Sequence, residues 1–281
     1  MVDYLWLNGT IRRCEEAAIS PLSLGFLVGL GAFETMRWVH PHGVFRLDRH
    51  LRRLDRALGA LGLPNETSHE RLRAAIRETI AANRIAEDVV VRLTIAAGAP
   101  DEPPIQLVAL RRVSYSSAMY RRGIAARTVP VDRDGTLARH KTLNYTTCWL
   151  AKRRALAEGA EEALLIDRDG FLLEGATTNF FLVRRGILHT PSLERALLPG
   201  ITREAVLEIA RARGIPVTEE SLAVEAWRDA DEAFLTNAVA GVLPLTRIDG
   251  EPIGSGTVGE RTLELMAAYR TRVHRELVET E

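Results

Sequence analysis

The chain has 281 residues, enough for one large domain or two modest ones around a substantial buried core. Hydrophobic residues make up 46% and charged residues 26%, and 37 basic residues balance 37 acidic ones, so no overall field favours nucleic acid or an anionic membrane. Cys14 and Cys148 have neither CxxC nor Cys/His metal spacing, no apolar run approaches the ~18 residues that span a bilayer, and Met1–Leu5 carries no signal-peptide pattern. A cytoplasmic protein without a metal centre is therefore expected, its two cysteines kept as thiols.

Tyr4 to Asn8 with Gly9-Thr10 reads as a short strand and hairpin turn. Residues 24–38 (LGFLVGLGAFETMRW) are first glycine-rich and then strand-like. The glycines do not follow a clear strand and open a helix, so a tightly bent loop fits better than a dinucleotide cradle. Ala32–Trp38 and Gly43–Arg46 predict a hairpin around His40-Pro41-His42. Leu47, Leu51, Leu54, Leu58 and Leu61 recur at spacings of four and three and predict an amphipathic helix, ended by Gly62 and Pro64. Five arginines crowd the same stretch, and Arg53, directly before Leu54, stands where it could reach a buried anion. Ser68 caps a second expected helix whose buried face is Leu72, Ile76 and Ile80. Asp88–Ala96 and Ile105–Arg111 read as strands. Arg92, inside the first of them, either faces solvent on a half-buried sheet or points into a site. The first half is thus β-β-α-α-β-β, an α+β pattern.

From Val113 to Tyr120 the chain turns polar, which marks 113–121 as the connection between a small N-terminal domain, 1–115, and a larger one, 122–281. Gly123–Val131 is expected as a strand and Asn144–Glu158 as a helix closed by Gly159. Short strands follow at 163–166, 171–173, 180–183 and 187–189, with Arg168-Asp169-Gly170 and Arg184-Arg185-Gly186 as tight turns. Leu198-Pro199-Gly200-Ile201-Thr202 opens a helix to about Arg213. Ala233–Ala238 and Val242–Ile248 read as strands, and a terminal helix begins near Thr257.

Chemistry concentrates in a few places. Lysine occurs at two positions only, Lys141 and Lys152. Lys141 precedes an expected helix, beside Arg139 and His140, and a Schiff-base lysine needs burial or a nearby cation to stay neutral. Lys152, within the helix next to Arg153 and Arg154, reads as an exposed surface group. Glu174 sits between Leu172-Leu173 and Gly175-Ala176, where a carboxylate is costly without a partner. It is either an edge-strand acid in water or the partner of a cationic ring nitrogen. Gly200-Ile201-Thr202 at a helix start offers free N–H groups, a positive dipole end and a hydroxyl, which suit a phosphate as well as an ordinary cap.

HLRRL (50–54), HKTLNY (140–145), LEGATTNFFLV (173–183), LLPGITREAV (197–206) and FLTNAVAGVLPL (234–245) together resemble the class IV aminotransferases, the fold-type IV pyridoxal 5′-phosphate enzymes. The resemblance covers nearly the whole chain, in the family's order and spacing. It implies a mixed α+β and α/β architecture of two domains, the smaller N-terminal and the larger a pseudo-barrel, and a homodimer with small-molecule amino-acid or amine substrates. It implies that Lys141 holds the cofactor covalently and moves protons, that Glu174 pairs with the pyridine nitrogen, and that Tyr145 contacts the phenolic oxygen. Arg53, Ile201, Thr202, Asn237 and Ala238 would bind the phosphate, and Phe33, Thr35 and Arg92 would line the substrate side.

Among the family's activities, Thr35 stands where branched-chain enzymes carry the glycine of Phe-Glu-Gly. Ala96-Ala97-Gly98 stands where D-amino-acid enzymes carry a carboxylate-trapping arginine, leaving Arg92, Arg37 or Arg139 to substitute. Leu30 replaces the aspartate common between the family's glycines. The expected function is amino-group transfer between an amino acid or amine and a 2-oxo acid. 4-Amino-4-deoxychorismate lyase, which releases pyruvate and 4-aminobenzoate, is the alternative, and a catalytically silent dimer of the same fold the remote one.

Overall fold

A computed structural model describes residues 2–63, 67–133 and 135–279. Pro64, expected to help end the leucine-striped helix, lies outside the described residues. The chain divides into two compact units. The first holds the chain up to Ser114, His140–Asn144 and the end from Glu276; the second holds Tyr115–Arg139 and Tyr145–Arg275.

In the first unit a six-stranded antiparallel sheet runs β2-β1-β6-β5-β3-β4. Its strands are β1 (Tyr4–Leu7), β2 (Thr10–Arg13), β3 (Gly31–Val39), β4 (Gly43–Val44), β5 (Val89–Ala96) and β6 (Ile105–Arg112). Its main helices are α2 (Leu47–Ala60) and α3 (His69–Ala82). A one-turn helix, α1 (Leu24–Leu27), capped by Ser23, replaces part of the loop expected in the glycine-rich stretch. The leucine stripe of α2 is buried as its spacing requires, Leu51, Leu54 and Leu58 being almost wholly covered, and Ser68 caps α3 through the Arg71 N–H.

Strand alternation sorts the sheet into two faces. Ala32, Met36, Val91, Leu93 and Ile95 lie in the core with the helices, whereas Phe33 and Thr35 stand opposite Thr94 and Arg92 on the other face. A short bridge from 141–143 joins the free edge of β3: Phe33 N donates to the Lys141 carbonyl at 2.9 Å and Leu143 N to the Gly31 carbonyl at 2.8 Å.

The second unit opens with α4 (Ser117–Arg122), a helix that overlaps the connection expected at 113–121, then β7 (Ile124–Pro130), α5 (Gly135–Ala138) and α6 (Thr146–Ala157). Next come β8 (Glu162–Ile166), β9 (Phe171–Gly175), β10 (Asn179–Arg184), β11 (Ile187–Pro191) and α7 (Ile201–Ala212). The remainder is β12 (Val217–Glu220), β13 (Leu222–Ala223), β14 (Glu232–Asn237), β15 (Gly241–Ile248), β16 (Glu251–Pro252) and α8 (Glu260–Val278). The mixed ten-stranded sheet has the order β12-β11-β10-β14-β15-β7-β8-β9-β13, with β16 on β15. The β15/β7, β7/β8 and β11/β12 pairs are parallel. Runs such as Asn179–Val183 and Ala233–Thr236 are buried without alternation because both faces of this sheet are covered. The tight turn at Arg185-Gly186 puts both residues at positive φ, 52° and 76°, as a two-residue hairpin requires.

Candidate active site

The lysine side belongs to the first unit. The backbone bridge at 141–143 fixes Lys141 beside β3, and its Nζ lies 4.7 Å from the centroid of the Phe33 ring. The Arg92 guanidinium sits over the same ring at 3.7 Å, and Arg92 is half-buried. Thr35 is the cross-strand neighbour of Arg92. Phe33 and Thr35 on β3, Arg92 on β5 and Lys141 on the bridge are therefore brought together. Thr94 Oγ1, opposite Phe33, is buried without a hydrogen-bond partner.

On the core side of β3 lies a buried cluster that sequence reasoning did not single out. Glu34 is fully buried, and its carboxylate takes Arg53 Nε at 2.8 Å, Arg53 Nη2 at 2.7 Å and His50 Nδ1 at 2.7 Å. The buried anion that Arg53 was expected to reach is thus Glu34, and the two-pronged pairing fixes the guanidinium plane. Burial penalises the charged carboxyl, but the Arg53 charge and the hydrogen bonds from Arg53 and His50 outweigh it, with His50 adding its charge once protonated at low pH, and hold Glu34 at about 2. His50 is pushed down by burial, with Arg53 and Lys141 adding to the effect against Glu34. His50 is accordingly neutral at pH 7 and donates its Nδ1–H to Glu34. A glutamate and a histidine sixteen residues apart, on a strand and the helix packed on it, were the available signal.

The acid side belongs to the second unit. Glu174 lies near the end of β9, buried, with Arg133 Nη1 at 2.7 Å, Leu198 N at 3.2 Å and Asn179 Nδ2 at 3.3 Å. Of its two expected settings, edge-strand acid in water is excluded. Burial would lower Arg133, but Glu174 above all raises it. Arg133 lies in an irregular stretch 41 residues away and carries no sequence signal. Asn179 also donates to the Leu198 carbonyl at 2.9 Å and so ties Glu174 to the start of α7. There Gly200 is required by close approach: a Cβ would meet Asn179 Oδ1 at 1.9 Å. Ile201 and Thr202, both buried, open α7, whose first-turn N–H groups have no intrahelical acceptors.

Tyr145 precedes α6 and donates its hydroxyl to the Ala176 carbonyl. Burial, and the negative groups around it, raise its pKa strongly and keep it a phenol. The Asn237 side chain is spent on shaping its own turn. Its Oδ1 accepts Val239 N at 3.0 Å and Ala240 N at 2.7 Å, while Nδ2 donates to Tyr115 Oη and the Thr177 carbonyl. What this turn offers a ligand is backbone, including Ala238. Two arginines considered for the substrate are engaged elsewhere: Arg37 pairs with Asp88, and Arg139 donates to the Glu194 carbonyl. Lys152 corrects its expected role, since it is half-buried and paired with buried Glu162 rather than a solvated surface group. Among the described residues no His/Cys/Asp/Glu cluster could hold a metal ion, and no helix is long and apolar enough to cross a membrane.

In one unit a lysine stands beside an aromatic ring, and in the other a buried acid is tied to the start of a helix. The fold itself has known relatives. The branched-chain amino acid aminotransferase of Escherichia coli superposes with a TM-score of 0.88 at 28% identity, covering 96% of this chain and 94% of that one. A putative branched-chain-amino-acid aminotransferase of Methanocaldococcus jannaschii is 33% identical over 95% of both chains. The aminodeoxychorismate lyase of Bacillus subtilis is 29% identical over 96% of this chain and 94% of that protein. Residues 31–248 match the family described as amino-transferase class IV. The chain belongs to the class IV aminotransferases, with the fold-type IV architecture that its five motifs imply.

Proposed function

We propose that this aminotransferase works with pyridoxal 5′-phosphate and moves an amino group between an amino acid and a 2-oxo acid. The observation that carries the reading is the Asn179 tie between Glu174 and the start of α7. It holds an acid for a ring nitrogen and an anion site for a phosphate in one frame, with Gly200 leaving the space. When bound, the cofactor supplies the electron sink for carbanion chemistry. Lys141 Nζ is the amine that carries it and moves the substrate proton. Glu174, oriented by Arg133, would accept a hydrogen bond from the protonated ring nitrogen. By the family resemblance Tyr145 would contact the phenolic oxygen, and Ile201 and Thr202, the 237–238 turn and Arg53 would be the groups that bind the phosphate. Phe33, Thr35 and Arg92 form the substrate side.

The names of the relatives make branched-chain amino acids the first substrates to offer. A second reading, aminodeoxychorismate lyase, is favoured by Thr35 in place of glycine and by the Bacillus subtilis relative. We also propose a homodimer, supported by the run Ile19, Leu22, Leu24, Phe26, Leu27 and Val28, which leaves 40–66% of each residue exposed.

The native protein should be yellow, and Lys141→Ala should abolish the long-wavelength band. A native protein that stays colourless with added cofactor refutes the reading. L-valine, L-leucine and L-isoleucine with 2-oxoglutarate in one tube, and aminodeoxychorismate in another, separate the two activities. Pyruvate release in the second without transfer in the first would establish the lyase.

A further inference from the structure

The other lysine of the chain leads to a second buried acid. β8 opens on Glu162, which is 2% exposed. Its Oε1 accepts from Lys152 Nζ at 3.1 Å and from Ala163 N at 3.0 Å, while its Oε2 accepts from Thr177 Oγ1 at 2.5 Å and Thr178 Oγ1 at 3.4 Å. Lys152 Nζ also donates to the Glu161 carbonyl. A compact ammonium suits this half-buried corner, where the flat fork of an arginine would need more room.

Thr177 and Thr178 form the turn between β9 and β10. The turn is drawn tight: Gly175 N donates to the Thr178 carbonyl at 2.7 Å, and a Cβ at Gly175 would meet Thr178 Oγ1 at 2.0 Å and Glu162 Cγ at 3.2 Å. The turn's carbonyls are used as well, Ala176 O by the Tyr145 hydroxyl and Thr177 O by Asn237 Nδ2 at 3.2 Å. Glu174 and Asn179 flank it and are hydrogen-bonded to one another. Tyr145, Glu174, Asn179 and Asn237 therefore meet a single turn, and the hydroxyls of that turn end on Glu162. Such an ion pair contributes little net stability compared with apolar packing.

We propose that Glu162, neutralised by Lys152, is a positioning residue that sets the 175–178 turn and, through it, the cofactor-binding residues around it. The proposal rests on the pyridoxal 5′-phosphate reading above. Thr177 is exposed, so Thr177→Val removes the link to Glu162 without opening the core. The experiment titrates apo-protein with pyridoxal 5′-phosphate by absorbance and fluorescence, and records thermal unfolding of the apo form. Loss of a hydrogen bond to a charged group should weaken cofactor binding about tenfold or more in Thr177→Val. Apo unfolding should fall by no more than a few degrees, and Thr177→Ser should restore both affinity and unfolding temperature. Lys152→Met, which leaves both hydroxyls in place and removes the counter-charge, should weaken binding in the same direction. Native affinity in Thr177→Val or Lys152→Met, or a Thr177→Ser variant as weak as Thr177→Val, would overturn the proposal while leaving the cofactor reading intact. A native chain that binds no pyridoxal 5′-phosphate would refute both.

Discussion

Separating Glu34 from Arg53 should reveal how much of the first unit depends on one buried charge pair. The carboxylate has three buried donors at 2.7–2.8 Å, and both partners are almost inaccessible to water. Glu34→Gln keeps the shape but leaves the guanidinium without its counter-charge, and breaking one side of such a pair costs about 3–5 kcal/mol. The lowered pKa of Glu34 points the same way. Its fall from 4.5 to about 2 corresponds to roughly 3 kcal/mol favouring the ionised form in the folded state. Arg53→Met should cost a similar amount, because it strands a buried carboxylate. The double variant Glu34→Gln/Arg53→Met buries no unpaired charge, so it should be more stable than the summed single effects predict by about 2–3 kcal/mol. Urea unfolding of apo-protein at pH 7, followed by circular dichroism, measures all four corners. Additivity within about 0.5 kcal/mol would show that the two groups do not act as a pair, and the reasoning would fail.

The remaining predictions concern pH and the acid side. His50 has a folded pKa below its usual 6.5, so its contribution to stability is present above that value and is lost as pH falls below it. Glu34 adds a second loss between 4.5 and about 2. His50→Gln should remove the first component from a stability–pH curve, and a native curve flat from about pH 7.5 to 5 would contradict the assignment. Arg133→Met should leave the protein folded but weaken pyridoxal 5′-phosphate about tenfold or more, through loss of the 2.7 Å contact that orients Glu174. An unchanged dissociation constant would mean that Leu198 N and Asn179 suffice. Gly200→Ala should cost about 1–3 kcal/mol by overpacking against Asn179, with part of that regained when Asn179→Ala is added. No regain would remove Asn179 as the obstructing group.

What could be read in the sequence follows from the range of the interactions involved. The α2 stripe, the Ser68 cap and the Arg185-Gly186 turn depend on neighbours within a few residues, so spacing and residue type determine them. The short parallel strand Val217–Glu220 does not, because it acquires its identity by pairing with β11 about thirty residues earlier. The site divides in the same way. Lys141, Glu174 and Gly200-Ile201-Thr202 were visible as chemistry at helix and strand ends. Their supporting groups were not. Arg133 looks like one more arginine in a polar loop until the fold brings it to Glu174, and Lys152 looks like a surface lysine until β8 places Glu162 beneath it. Thr35 shows the limit from the other side. Its identity is plain, its neighbour Arg92 is now known, and both lie on the face that carries Phe33, whose ring is beside Lys141. On the proposed substrate side, a threonine hydroxyl and a guanidinium on one sheet face would discriminate among carboxylates. Exchanging Thr35 for glycine tests this directly: it should shift the ratio of branched-chain transfer to aminodeoxychorismate cleavage toward transfer, and an unmoved ratio would place the determinant elsewhere.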